Sequence, residues 1–144
     1  MADVIAIDGG DGVPPEPNWT RYFGRKADRE AAAEHWQRII SEMRGAEKLA
    51  VANTHAIQRL VVAYVTFDIS AKAVLKLGPV VPAPKTKVLT YNPWWTTMQN
   101  AASTAASLEK ELCISPRERN SGGKVTKKST RRTGADAYLK PVAQ

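Results

Sequence analysis

Eight basic side chains, Arg117, Arg119, Lys124, Lys127, Lys128, Arg131, Arg132 and Lys140, fall between residues 117 and 144, with only Glu118 and Asp136 against them. That stretch carries +6 of a net charge of +7, whereas residues 1 to 116 hold 13 basic and 12 acidic side chains. Cations interspersed with Ser, Thr and Gly can follow a phosphate backbone without a fixed geometry, and each phosphate they neutralise releases counterions. The chemistry on offer is therefore polyanion binding by charge, which gives affinity without base readout. A second, smaller basic group, Arg21, Arg25, Lys26 and Arg29, precedes and enters the first helical pattern.

Other reactive residue types do not assemble into a constellation. Glu34-His35 lacks the second histidine of a zinc protease helix, and His35 and His55 stand at neither metal nor triad spacing. The stretch "VIAIDGGDG", residues 4 to 12, has the look of a strand followed by a phosphate-binding glycine loop. Such a loop must open a helix, and Val13-Pro14-Pro15 prevents one. No glycine-rich loop ends in Lys-Ser or Lys-Thr. Cys113 is the single cysteine, so neither an intrachain disulfide nor a cysteine zinc site can form. The expectation is a chain with no catalytic residue, no metal and no cofactor. No apolar run reaches the roughly 18 residues of a membrane span. The N-terminus lacks the basic n-region of a secretory signal, which points to a cytoplasm.

A helical body must position these charges. Residues 1–26 read as a flexible leader, with "GGDGVPPEP" too rich in Gly and Pro for regular structure, and Trp19, Tyr22 and Phe23 as the aromatic cluster that clamps it to the core. Residues 27–119 read as the helical core. Its first helix covers about 27–44, with Asp28 and Glu30 near the positive end of the dipole and Arg44 near the negative end. Ala32, Trp36, Ile39, Ile40 and Met43 form its buried face, and Gly45 ends it. A second helix runs from a cap at Asn53 or Thr54 to Gly78, about 36 Å at 1.5 Å per residue. Ile57, Leu60, Tyr64, Phe67, Ala71 and Val74 alternate steps of three and four along it as a heptad seam, and Asp68 and Lys72 stand at ion-pair spacing. Val61, Val62, Val65 and Ile69 make the helix apolar on a second face. A helix apolar on two sides needs two partners, and three helices supply only part of that cover, so self-association follows.

"GPVVPAPKTKVLTY" reads as two short extended segments around a turn, Val80-Val81 and Lys87 to Tyr91. Asn92 then caps, and Pro93 opens, a third helix. Its stripe is Trp94, Met98, Ala101, Ala105, Leu108 and Leu112; Trp95 lies about 100° from it and must find a different partner. Ser115 and Pro116 offer one more short helix. Residues 120–144 form a basic tail, low in apolar residues and unstructured alone, that recovers some apolar character only in Tyr138 and Leu139.

A short Trp-bearing helix, a long helix ending in glycine, an extended connection, Asn-Pro opening another long helix, then Ser-Pro followed by arginines: this order resembles the small subunit of tailed-phage terminases. The matching pieces are Glu34-His35-Trp36 with Ile39 and Ile40, Leu49 and Asn53 leading into Leu60 and Ala63-Tyr64, Gly78, Asn92-Pro93, and Leu112 to Arg119. They cover about residues 28 to 120. Cys113 departs from the pattern, since such proteins commonly have glycine there at the helix-ending turn. The resemblance implies a mainly α fold, a helical protomer with two long helices and a short β-hairpin-like connection, assembling into a ring. It implies a non-catalytic subunit that binds viral DNA at the packaging initiation site and presents it to a large subunit holding the ATPase and nuclease.

Expected partners are accordingly double-stranded viral DNA, the terminase large subunit and more than four copies of the chain itself, in the host cytoplasm and away from membranes. The residues expected to contact DNA are Arg117, Arg119, Lys124, Lys127, Lys128, Arg131 and Arg132, with Arg25, Lys26 and Arg29 as the second group. Trp94 is expected in the protomer core, and Trp95 at the seam between copies together with Val61, Val65 and Ile69. Tyr138 and Leu139 are the candidate docking peptide for the large subunit. Two other classes fit parts of the pattern: a stand-alone small DNA-binding protein of nucleoid or regulator type, and a structural head-completion protein. Assembly state separates them, because a regulator is typically a dimer and a packaging adaptor a ring.

Overall fold

Helices form where the periodicities place them. In the computed structural model, which describes residues 12–120, α1 spans Lys26–Gly45, α2 spans Thr54–Leu77 and α3 spans Pro93–Glu111. The Pro- and Val-rich connection forms a two-stranded antiparallel hairpin, β1 (Val80–Pro82) and β2 (Leu89–Tyr91), with Val80 opposite Tyr91 and Pro82 opposite Leu89. The fold is thus mainly helical. α3 runs back along α2, since Asn92 meets Gly78 at one end of the pair and Glu109 meets Tyr64 further down.

The core lies at the end of this helical pair where α1 crosses it. α1 buries Ala32, Trp36, Ile39, Ile40 and Met43, the face expected from its spacing, against Ile57, Leu60, Val61 and Val65 of α2. Leu108, Leu112 and Ile114 close the same cluster from the α3 side. Trp19 and Phe23, at and just after a 3-10 turn over Trp19–Arg21, complete it. Trp19 stands edge-on to Trp36 at 6.0 Å, and its indole N–H donates to Glu16 Oε1 at 2.9 Å, so the aromatic cluster does clamp the chain before α1. Where α2 and α3 pack, small buried residues (Ala63, Ser70, Ala101, Ala105) bring the backbones close.

The helix stops differ in how they are made. α1 does end at Gly45, but the glycine does not supply the left-handed turn that follows. Glu47 adopts the left-handed conformation, φ 58°, while its amide donates to the Arg44 carbonyl and the Lys48 amide to the Met43 carbonyl. α3 ends by the same hydrogen-bond pattern, with Cys113 at φ 55° and the Ile114 amide reaching the Glu109 carbonyl. The departure from glycine at Cys113 therefore leaves the turn intact, at the cost of holding an L-residue in a region that glycine favours. Gly78 does end α2 as expected, at φ 83°.

Beyond this turn the chain does not form the expected short helix. The Glu118 and Arg119 amides both return to the Ser115 carbonyl at 3.0 Å, making a hydrogen-bonded turn. The Lys48 ammonium, 8% exposed, donates to the carbonyls of Cys113 at 3.1 Å and Arg119 at 2.5 Å, and so ties both ends of the segment to the loop after α1. Asp68 meets His35 of α1 at 3.6 Å instead of Lys72. Here a tertiary neighbour outcompetes the pairing that helix spacing alone suggests.

At the opposite end of the α2–α3 pair, Asn92 does more than cap. Its Oδ1 accepts from the Trp94 amide at 3.0 Å, its Nδ2 donates to the Gly78 carbonyl at 2.9 Å, and its own amide donates to the Pro79 carbonyl at 2.9 Å. With the side chain 1% exposed, this one residue starts α3 and fastens it to the end of α2.

Candidate nucleic-acid and assembly surfaces

The basic residues expected on the body divide once the fold is formed. Arg29 turns inward: its Nη1 donates to the carbonyls of Phe23 at 3.3 Å and Gly24 at 2.7 Å, holding the turn before α1. Arg119 stays largely exposed but is engaged, with Nη2 at 3.1 Å from Glu42 and Nε donating to the Ile114 carbonyl at 3.3 Å. Lys26 pairs with Glu30 one turn on, at 3.5 Å and in full contact with solvent. Arg25, at the N-cap of α1, and Arg117, on the last turn, are exposed. Lys124, Lys127, Lys128, Arg131, Arg132, Tyr138 and Leu139 lie outside the described residues.

The fold adds a cation that no linear pattern marked. The Tyr22 hydroxyl accepts from Gln58 Nε2, which sets the chain before α1 beside the first half of α2. Arg59 thereby joins Tyr22 and His55 along one groove. Arg59 sits between Ile57 and Leu60 and reads, in sequence, as an ordinary solvent position of an amphipathic helix.

That groove, about 570 Å³, runs between α2 and α3. Val62, Ala63 and Thr66 line one wall, Thr97, Asn100, Ala101 and Thr104 the other, and Tyr22 closes one side. A second cleft of about 360 Å³ lies between α1, α2 and the last turn, lined by both charged and apolar side chains. In it Tyr64 donates to Glu109 at 2.6 Å. Burial, then that hydrogen bond, then the charges of Glu109 and Glu42 push the Tyr64 phenol well above its usual range, so it remains a neutral donor. Its acids and bases already pair with one another, His35 with Asp68 and Arg119 with Glu42. Among the described residues no group of His, Cys, Asp and Glu is arranged to hold a metal ion. No helix among them is long and apolar enough to cross a membrane.

The expected seam residues are redistributed. Val61 and Val65, at 0% and 1% exposure, are closed inside one protomer by α1, and Ile69 is half-buried against the same core. The second apolar face of α2 over this stretch is therefore covered by the chain itself. Trp94, expected in the core, is 41% exposed and Trp95 is 37% exposed. Both indoles stand where α1 does not reach. Around them Leu75, Leu77, Val80, Val88, Leu89 and Tyr91 are also exposed, so most of the uncovered apolar surface lies at the hairpin end of the molecule.

The family model described as phage terminase, small subunit, matches residues 32–129. No curated protein and no solved structure matches the chain.

Proposed function

The chain belongs to the phage terminase small-subunit family, and from that premise we propose that it binds viral DNA at the packaging initiation site and delivers it to the large subunit as a non-catalytic, ring-forming adaptor of more than four copies. Family membership places it in phage DNA packaging, in the infected host cell. The family match over residues 32–129 carries the reading, because those residues hold most of α1 and all of α2, the hairpin and α3. The charge distribution supports the DNA-binding part. Arg117, Lys124, Lys127, Lys128, Arg131 and Arg132 supply the main phosphate contacts, with Arg25 and Lys26 on the body. Arg29 and Arg119 contribute their charge while their guanidinium groups hold the fold. Tyr138 and Leu139 are the docking peptide for the large subunit, which supplies the ATPase and nuclease activity.

Truncation after Asn120 tests this. It removes six basic residues and one acidic residue, a net +5 per copy. Each lost phosphate contact lowers the slope of log affinity against log salt by about 0.9, so the truncated chain binds duplex DNA more weakly and with a shallower salt dependence. Several tails on one duplex multiply the loss through avidity. Unchanged affinity and slope in a salt titration would move the DNA site onto the body, to Arg21, Arg25, Lys26 and Arg59.

A further inference from the structure

Two unlike apolar surfaces lie on the α2–α3 pair. One is the projecting hairpin end, where Leu75, Tyr91 and Leu89 are 86%, 74% and 72% exposed and Trp94 and Trp95 flank them. From these exposures the hairpin end presents on the order of 800 Å² of apolar surface, about one partner's share of a stable interface and more than the largest patch on a typical monomer. The other surface is the groove walled by Val62, Ala63 and Thr66 on α2 and Thr97, Ala101 and Thr104 on α3. At 1.5 Å per residue Leu75 lies about 20 Å along α2 from Val62. Both surfaces are built on the same two helices, so a protomer cannot fold its hairpin end into its own groove.

Charge distinguishes the ways in which two copies can meet. Between Asp68 and Glu109 the chain has four lysines, Lys72, Lys76, Lys85 and Lys87, and no acidic residue. Two hairpin ends face to face would set these lysines against one another. In the groove Arg59 is the one permanently charged lining residue, and beside Tyr22 and His55 the remaining walls are aliphatic or uncharged polar. We propose that the hairpin end of one copy, led by Leu89, Tyr91 and Trp95, docks in the α2–α3 groove of the next. The contact is heterologous: each copy uses one surface to give and a different one to receive, the geometry that closes into a ring when the rotation permits. This rests on the self-assembly part of the proposed function and specifies its two faces.

Complementation of two full-length variants tests it. Leu89→Asp damages the hairpin end, and Thr104→Trp fills the groove; both positions are exposed, and far-ultraviolet circular dichroism checks that each variant keeps its helices. By native mass spectrometry at micromolar concentration each variant alone is expected as a monomer. Mixed, they are expected as one-to-one heterodimers, because the intact hairpin end of the Thr104→Trp chain still fits the intact groove of the Leu89→Asp chain and no third copy can add. Full assembly of Thr104→Trp alone, or a mixture that stays monomeric, overturns the groove as the receiving surface while leaving self-assembly standing. A wild-type chain that is itself monomeric overturns self-assembly, and this inference with it.

Discussion

The two ends of α2 are built from similar residues and meet different fates. At its start Ile57, Leu60, Val61 and Val65 are sealed by α1, by the chain around Trp19 and by Leu108, Leu112 and Ile114. Toward its end Leu75 and Leu77 project into solvent beside an equally uncovered hairpin. The difference comes from coverage. α1 crosses α2 near Tyr64 and Asp68, as the His35–Tyr64 and His35–Asp68 contacts mark, and beyond that crossing α3 is the helix that packs on α2 among the described residues. Burial inside one chain stabilises the protomer directly. Apolar surface left at the hairpin end contributes only when another molecule covers it, which ties its energy to association and to concentration.

Substitutions on the two sides of that divide should behave differently. The largest effect belongs to Trp36→Ala at the covered end. Losing a core indole at 2% exposure leaves a cavity and costs about 3–5 kcal/mol, enough to unfold much of the protomer. Urea denaturation followed by circular dichroism measures it, and a midpoint within error of wild type would remove Trp36 from the core.

Asn92→Ala comes next, at the other end. It deletes the cap on the Trp94 amide and the donor to Gly78, for a loss of about 1–2 kcal/mol. Asn92→Ser, which keeps a cap oxygen and loses the donor, should fall between the alanine variant and wild type. If serine and alanine are equally destabilised, the link to Gly78 dominates and the cap contributes little.

Smaller still, and of opposite sign, is Cys113→Gly. Releasing an L-residue from φ 55° gains more than the added freedom of the unfolded chain costs, for a net stabilisation of about 0.5–1 kcal/mol in thermal melts. A destabilised glycine variant would mean that the Cys113 side chain makes up for the strain through its packing.

Ser70→Ala should change least. Its hydroxyl, on a fully buried residue, has no hydrogen-bond partner among the described residues, so removing it relieves an unmet polar group and leaves stability unchanged or slightly higher. A loss above about 1 kcal/mol in the same melts would show that the hydroxyl does find a partner across the α2–α3 contact.

Local chemistry made much of this architecture legible in the sequence. The five buried residues of α1 follow from spacing, because a stripe on a 3.6-residue helix has one face to bury. Asn92-Pro93 marks the start of α3, because a cap and a proline at the first position act within a few residues of chain. The Trp94 to Leu112 stripe was equally plain as a pattern, yet only its far part, Ala101, Ala105, Leu108 and Leu112, is buried. Periodicity says which face is apolar and is silent on how far along the helix a neighbour reaches.

The basic residues show the same boundary. Net charge, its concentration after residue 117 and the paucity of apolar residues there are properties of composition, and the sequence determines them alone. So it does with the three helices, the extended link between α2 and α3, and the order of motifs that resembles a family. Tertiary structure decided which cations remain available. Arg29, Arg119 and Lys48 have long flexible stems whose charged ends can turn to solvent or to a carbonyl, and only the folded backbone shows that those carbonyls are within reach. It likewise closed Val61 and Val65 inside the protomer and left Trp94 and Trp95 partly outside it. Whether an apolar side chain is covered depends on the crossing point and length of a helix distant in sequence, and no local pattern encodes either quantity.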